Sequence, residues 1–242
     1  KYEYTNVDDE FDKTISGRSY MILLPVSVVD GFFDEPDQIR NYALGLTSEP
    51  DSEGKWPGSR TANLAEINPK LFDHTCRRIA SLFWDTRDPN EFVQWQAQGG
   101  FQLVDSSYQS GWVHHDAGEE LFTAIIYLTP NASTSTGTSI WELKDRIVPI
   151  PTAAKEAKFP ALRQELDATT ATLARQELNN YYTESIRVNN KYNRAIIFDS
   201  HLYHAAGEFD TLTEDRLTLT IFFSKLGSSK LSPIQRLKRE ID

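Results

Sequence analysis

The clearest signal in the pattern of apolar and polar positions is a series of short β-rich runs between about residues 91 and 224. It runs through EFVQWQAQ, GFQLVDSSY, GWVHHD, LFTAIIYL, TSIWEL, NRAIIFDS and RLTLTIFF. Side chains alternate sides along a strand, and turn-forming residues separate several of these runs, so the region predicts an all-β sandwich or barrel. One segment breaks the series. Over about 157–180, Leu162, Leu166, Leu173 and Leu178 fall on one helical face, with Arg163, Glu165, Arg175 and Glu177 mostly elsewhere. That predicts a helical insert between core strands, buttressing the sheet or lidding a mouth.

Upstream the texture differs. YMILLPVSVVDGFF predicts strand, and PDQIRNYALGL a helix over about 36–46 with Asp34 or Pro36 near its start. Residues 47–64 mix Pro, Gly, Ser and charge and predict an irregular loop. A second helix is expected over about 68–84, with Leu71, Ile79 and Leu82 among its apolar positions, and the closing LSPIQRLKREID predicts a short C-terminal helix. The expected organisation is one domain over 1–242: an α/β scaffold to about 90, a β core over about 91–224, and a tail over 225–242. Neither repeats nor low-complexity tracts interrupt it.

Composition narrows the partners. The 242 residues, 39% hydrophobic and 12% aromatic, suffice for a sizeable core. The 25 Lys and Arg against 35 Asp and Glu give a net charge of −10, which repels phosphate backbones and makes nucleic acid a poor partner. A small-molecule or peptidyl substrate is the expectation. The sequence has no apolar run of about 18 residues and predicts no membrane-spanning helix. The N-terminal KYEYTNVDDEFDK is acidic and polar, unlike a secretory signal. The single Cys76 excludes an internal disulfide and suits a reducing, cytoplasmic compartment. In its helical context Cys76 reads as a packing residue.

The candidate chemistry starts at GWVHHD. On a strand His114 and Asp116 share one face and His115 takes the other, so His114 and Asp116 can reach one ion together. A facial-triad iron site needs this pair plus one further histidine, with open positions left over. Read by itself, HHD is equally a polar cap on a strand end. Further along, NRAIIFDSHLYHAAGEF offers His201 and His204 beyond an apolar strand, and EDRLTLTIFF opens the next strand with Arg216.

In this order of His-x-Asp, distal His and strand-opening Arg, the sequence resembles the iron(II)- and 2-oxoglutarate-dependent oxygenases over about 100–224, most closely the small prolyl-hydroxylase-like members of phage and bacterial type. VVDGFFDEPDQIRNYALGL and WPGSRT add a weaker likeness. The resemblance implies a double-stranded β-helix (jelly-roll) core, with N-terminal helices packed outside and a helical insert between core strands. It implies iron(II) on His114, Asp116 and a distal histidine, with O2 and 2-oxoglutarate as cosubstrates and succinate and CO2 as products. His204 is preferred over His201 because only twelve residues separate it from Arg216. Arg216 and Thr218, two apart on one strand face, are implied to bind the cosubstrate's distal carboxylate, and Tyr127 to lie against it, with Tyr108 a weaker candidate. Substrate contacts are expected from the insert and the Arg60 loop. Relatives often carry two glycines where Ser135-Thr136-Gly137-Thr138 keeps one. Halogenating relatives replace the aspartate, so Asp116 favours hydroxylation of an amino acid, peptidyl residue or other metabolite. The competing readings are a cupin-like metalloenzyme that does not use 2-oxoglutarate, and a non-enzymatic β-sandwich binding module.

Overall fold

The computed structural model describes residues 20–22, 26–84, 92–116, 121–145, 147–209, 214–229 and 238–240. The acidic N-terminal stretch lies outside them. In chain order the described elements begin with β1 (Tyr20–Ile22), β2 (Ser27–Asp30), α1 (Pro36–Leu44), β3 (Ser48–Pro50), β4 (Ser59–Thr61), α2 (Leu64–Ile67) and α3 (Pro69–Ser81). The core strands are β5 (Val93–Val104), β6 (Phe122–Tyr127), β7 (Thr138–Leu143), β8 (Tyr182–Val188), β9 (Arg194–Asp199), β10 (Tyr203–Ala206) and β11 (Arg216–Ser228). Helices α4 (Thr152–Glu156), α5 (Lys158–Leu162) and α6 (Ala168–Asn179) separate β7 from β8, and β12 (Lys238–Glu240) is the last strand.

The larger sheet runs β2-β9-β6-β11-β5-β4-β3 and the smaller β10-β7-β8, both antiparallel. His114 bridges to His204 and extends the smaller sheet beyond β10. Followed from β5, the chain visits larger sheet, the His114 bridge, larger (β6), smaller (β7, β8), larger (β9), smaller (β10) and larger (β11). That to-and-fro between two facing sheets is a double-stranded β-helix, as expected.

The period of two sorts the chemistry. On β11, Leu217, Leu219, Ile221 and Phe223 pack with Phe32, Cys76, Ile79 and Phe83 beneath α1 and α3. The intervening Arg216, Thr218, Thr220 and Phe222 line a cavity between the sheets. On β6, Phe122, Ala124 and Ile126 join the helix-side core, while Thr123 and Ile125 face the cavity. One face of each strand therefore anchors the fold and the other furnishes the site. Asn193 ties the scaffold on: at φ 61° its side chain accepts from Phe33 N (2.8 Å) and donates to Phe33 O (2.7 Å).

The two N-terminal helices form where expected. Asn68 caps α3 by accepting from Leu71 N at 3.1 Å, and Pro36 opens α1. Other expectations need correction. The insert is three short helices, because Asp167 starts a new one by accepting from Thr169 N and Thr170 N (both 3.0 Å). Leu162 and Leu178 are buried, but Leu173 is 61% exposed, so the four leucines share no single face. Residues 47–64 contain the β3–β4 hairpin, whose Ser59 and Arg60 pair with Leu103 and Gln102 on the edge of β5. EFVQWQAQ and GFQLVDSSY merge into β5, since Gly99 and Gly100 pair across to Ile221 and Thr220 instead of turning. YMILLPVSVVDGFF yields two strands, and YTESIRV, which carries no clear alternation, forms β8 against β7. In the tail, Lys238–Glu240 pairs with β1 as a strand where a helix was expected. The break in the insert is a local capping effect, whereas the strand corrections follow from pairing partners in other elements, which override local propensity. Among the described residues, no helix is long and apolar enough to cross a membrane.

Candidate functional site

GWVHHD forms a single bridge in place of a full strand. His114 N donates to His204 O at 3.0 Å, His204 N to His114 O at 2.7 Å, and Asp116 N to Ser200 O at 3.0 Å. The α6 residue Asn179 accepts from Val113 N at 3.0 Å, so the insert steadies the approach to His114. Backbone exchange with β10 sets the two imidazoles side by side, their ring centres 4.4 Å apart.

His114, Asp116 and His204 bring one donor atom each to within 4.8 Å of one another. His114 Nδ1 lies 2.8 Å from Trp112 O, and His204 Nδ1 2.9 Å from Leu202 O. A carbonyl only accepts, so each Nδ1 carries the proton and each Nε2 presents its lone pair. Those Nε2 atoms stand 3.8 and 3.6 Å from Asp116 Oδ1 and Oδ2, too far for hydrogen bonds. Two imidazole lone pairs and a carboxylate thus face a common point without satisfying each other, a donor set that suits a divalent transition metal. Burial, with Lys158 and the neighbouring His204 behind it, pushes the His114 imidazole well below its ordinary pKa and keeps it in the neutral form a metal requires. Its side chain is still 36% accessible from the cavity, but protein surrounds it on the remaining sides.

Thr123 completes the support. Its hydroxyl donates to Asp116 Oδ2 at 2.7 Å and lies 3.0 Å from Ser200 Oγ. Nothing in the sequence singles out Thr123 except its place on the cavity face of β6. His115 turns its ring edge-on to Tyr203 at 5.2 Å and stays outside the donor group. His201 is half-exposed and held by Asp199 Oδ1 at 3.0 Å, so the structure brings His204, not His201, to the other two donors.

Above this point lies a cavity of about 540 Å³, within the roughly 300–1,000 Å³ usual for small-molecule sites. Arg216 is 4% exposed in its wall, its Nε donating to Thr136 O at 2.8 Å, and no carboxylate among the described residues pairs with it. Burial pushes its pKa down. Two residues on, the buried Thr218 hydroxyl has no hydrogen-bond partner among the described residues. A buried guanidinium and an orphaned hydroxyl on one strand face are costly unless an anionic ligand meets them. Tyr127 is fully buried behind them and outside the cavity lining: its ring lies 5.3 Å from the Arg216 guanidinium carbon, and its hydroxyl donates to Thr138 Oγ1 at 2.7 Å. Tyr108 packs with the insert, away from the cavity. Gly137 admits no side chain, since a Cβ there would fall 1.9 Å from Val188 O, so the one glycine kept in STGTS sits where it is needed.

The cavity also holds Arg60 and Lys158, which the sequence marks only by their place in the loop and the insert. Burial pushes Arg60 down to about 10 and Lys158 down to about 8, only partly offset by the charge of Asp116. With Lys55 and Arg216, four cations and one carboxylate, Asp116, line the cavity among the described residues, in a chain of net charge −10.

HygX from Streptomyces hygroscopicus, solved with nickel and 2-oxoglutarate bound, superposes with a TM-score of 0.47 at 18% identity, covering 84% of this chain and 83% of that one. A Trichoplax adhaerens prolyl hydroxylase in complex with a hypoxia inducible factor peptide gives 0.47 at 11% identity, over 87% and 85% of the two chains. A Pseudomonas putida prolyl-4-hydroxylase gives 0.43 at 13% identity, over 83% and 92%. No curated protein matches the sequence. A family model does match, over residues 22–223 of the 242, and the chain belongs to the family it describes, the family of unknown function DUF6445.

Proposed function

We propose that this chain is an iron(II)- and 2-oxoglutarate-dependent oxygenase that hydroxylates a C–H bond of a small-molecule or peptidyl substrate, releasing succinate and CO2. The observation that carries the reading is the pairing, in one cavity, of a convergent His114–Asp116–His204 donor set with a buried Arg216 that no carboxylate among the described residues pairs with. His114, Asp116 and His204 hold the iron. Arg216 grips the distal carboxylate of 2-oxoglutarate through its planar fork, and the Thr218 hydroxyl, otherwise orphaned, donates to the same group. When bound, iron and cosubstrate supply oxygen activation coupled to decarboxylation.

The protein's own residues position and shield. The Trp112 and Leu202 carbonyls fix both imidazole tautomers, and Thr123 orients the Asp116 carboxylate. Tyr127 backs the guanidinium with its ring and holds Thr138 with its hydroxyl. Ile125, Phe209 and Phe222 make apolar walls that exclude water, and Phe159 and Leu162 of the insert close one side of the cavity.

Anaerobic addition of iron(II) and then 2-oxoglutarate tests the reading by visible absorption. A charge-transfer band is expected, absent in His204→Ala and retained in His201→Ala. In Arg216→Gln the 2-oxoglutarate concentration needed for the band rises about tenfold or more. No band in the wild-type protein overturns the proposal, and so does an unchanged 2-oxoglutarate requirement in Arg216→Gln.

A further inference from the structure

Arg216 accounts for one cation of the cavity, and three remain. Lys55 is exposed and already paired with Glu53 at 2.5 Å. Arg60 and Lys158 are different. The Arg60 guanidinium lies over Trp56 at 4.3 Å and near Phe222 at 5.7 Å, one Nη reaches Gln102 Oε1 at 3.3 Å, and its buried Nε has no hydrogen-bond partner among the described residues. No carboxylate among the described residues forms an ion pair with either Arg60 or Lys158, and the Arg60 charge adds to burial in lowering the Lys158 pKa, while the charges of Asp116 and Asp51 act on Arg60 without bonding to it. The one carboxylate that both feel inside the cavity is Asp116, which the donor set already commits. Two cations lining one cavity without a carboxylate bonded to either carry a desolvation and repulsion cost that a bound anion offsets.

They come from separate parts of the chain. Arg60 is on β4, at the end of the β3–β4 loop, and Lys158 opens α5 in the insert. The loop and the insert are clamped together. Gly54, at φ +72°, would place a Cβ 2.3 Å from Phe159 O, and Arg163 Nη1 donates to Glu53 O at 3.1 Å. This close contact fixes the position of Arg60 relative to Lys158 and leaves room for no side chain at position 54.

We propose that Arg60 and Lys158 form a second anion site, distinct from Arg216, which takes an acidic group of the substrate, a carboxylate or a phosphate, with the apolar body beside it lying against Trp56 and Phe222. The substrate assignment rests on the oxygenase reading, whereas the anion site itself does not. In this arrangement the substrate is pinned by its charge at the loop–insert junction while the bond to be oxidised faces the donor set. The cationic lining of the cavity selects anions small enough to enter it, against the repulsion of a chain of net charge −10.

The test is a double dissociation by titration calorimetry. Inorganic phosphate, benzoate and uncharged benzamide are titrated into the metal-free wild-type protein and into Arg60→Gln, Lys158→Gln and Arg216→Gln. The same four proteins, charged anaerobically with iron(II), are titrated with 2-oxoglutarate. The expected result is binding of phosphate or benzoate, but not benzamide, weakened about tenfold or more in Arg60→Gln and in Lys158→Gln and unchanged in Arg216→Gln. Preference for phosphate or for benzoate then identifies the acidic group. The proposal is overturned if neither anion binds, if either variant binds as wild type does, or if Arg60→Gln and Lys158→Gln lose 2-oxoglutarate instead. Lys158 belongs to no core cluster, so Lys158→Gln decides the matter even if Arg60→Gln fails to fold. Anion binding with these variant effects in a protein that never binds 2-oxoglutarate would sink the oxygenase reading and leave this site standing.

Discussion

Thr123→Val isolates what holds the donor set in place. Valine keeps the β-branched shape that suits β6 and fills nearly the same volume, so the backbone and the helix-side core are undisturbed. What disappears is the hydroxyl that donates to Asp116 Oδ2 at 2.7 Å and lies 3.0 Å from Ser200 Oγ, at a residue only 1% exposed. The Asp116 backbone stays anchored through its N–H to Ser200 O at 3.0 Å, leaving the carboxylate alone free to swing. A hydrogen bond to an ionised acceptor contributes roughly 1.5–3 kcal/mol, which corresponds to about 10–100-fold in an equilibrium constant. Loss of an outer-shell partner of a metal ligand costs about the same range in metal affinity. The assay is competition for iron(II) or manganese(II) against a chromophoric chelator, with a thermal melt alongside to establish that the variant is folded. Thr123→Ser, which keeps the hydroxyl, should restore most of the affinity. If folded Thr123→Val binds metal within about twofold of wild type, the hydroxyl does not position Asp116 and the account of the donor set is wrong.

Leu178→Ala, at a residue 3% exposed on the inner face of α6, should cost about 2–5 kcal/mol in denaturant unfolding, whereas Leu173→Ala, at 61% exposure, should stay within about 0.5 kcal/mol; equal effects would contradict the packing of the insert. Asp30 on β2, bonded by Arg194 of β9 and by Lys191 just before that strand, has its carboxyl held well below the ordinary range. A depressed carboxylate stabilises the fold above its unfolded pKa of about 3.9 and loses that contribution as pH falls below it. Asp30→Asn should therefore show a deficit, under about 1 kcal/mol for a half-exposed pair, that shrinks in acid; a deficit that grows on acidification would refute the sign. Burial pushes the Cys76 thiol up to about 12, so a thiol reagent at neutral pH should label it only on unfolding, and rapid labelling of the native protein would place it wrongly.

The order of chemistry along the chain was legible in the sequence because it depends on strand parity. RLTLTIFF puts Arg216 and Thr218 on one face whatever β11 pairs with, and GWVHHD separates His115 from His114 and Asp116 in the same way. Period-two alternation is a local property of the backbone, so it survives without knowledge of the partner strands. Cys76 as a packing residue and the two N-terminal helices were legible for the equivalent reason: apolar spacing and capping are local.

Pairing and proximity belonged to the tertiary structure. That β3 and β4 are strands, that β5 runs through Gly99 and Gly100, and that the tail pairs with β1 all follow from hydrogen-bond partners far away in sequence. The same holds at the site. Both His201 and His204 stand beyond the apolar run, but only His204 exchanges backbone bonds with His114. Tyr127 is on an expected strand, yet it lies behind Arg216 and not against the cavity. Thr123 and Lys158 carry no motif and Arg60 only a weak likeness in WPGSRT, and their significance comes from what folding brings beside them: a carboxylate for the first, and for the other two a shared cavity in which both are half-buried and neither is bonded to a carboxylate among the described residues. A sequence records which side chains share a face of one element, while the distances between elements, which set hydrogen bonding and charge, exist only once the chain has folded.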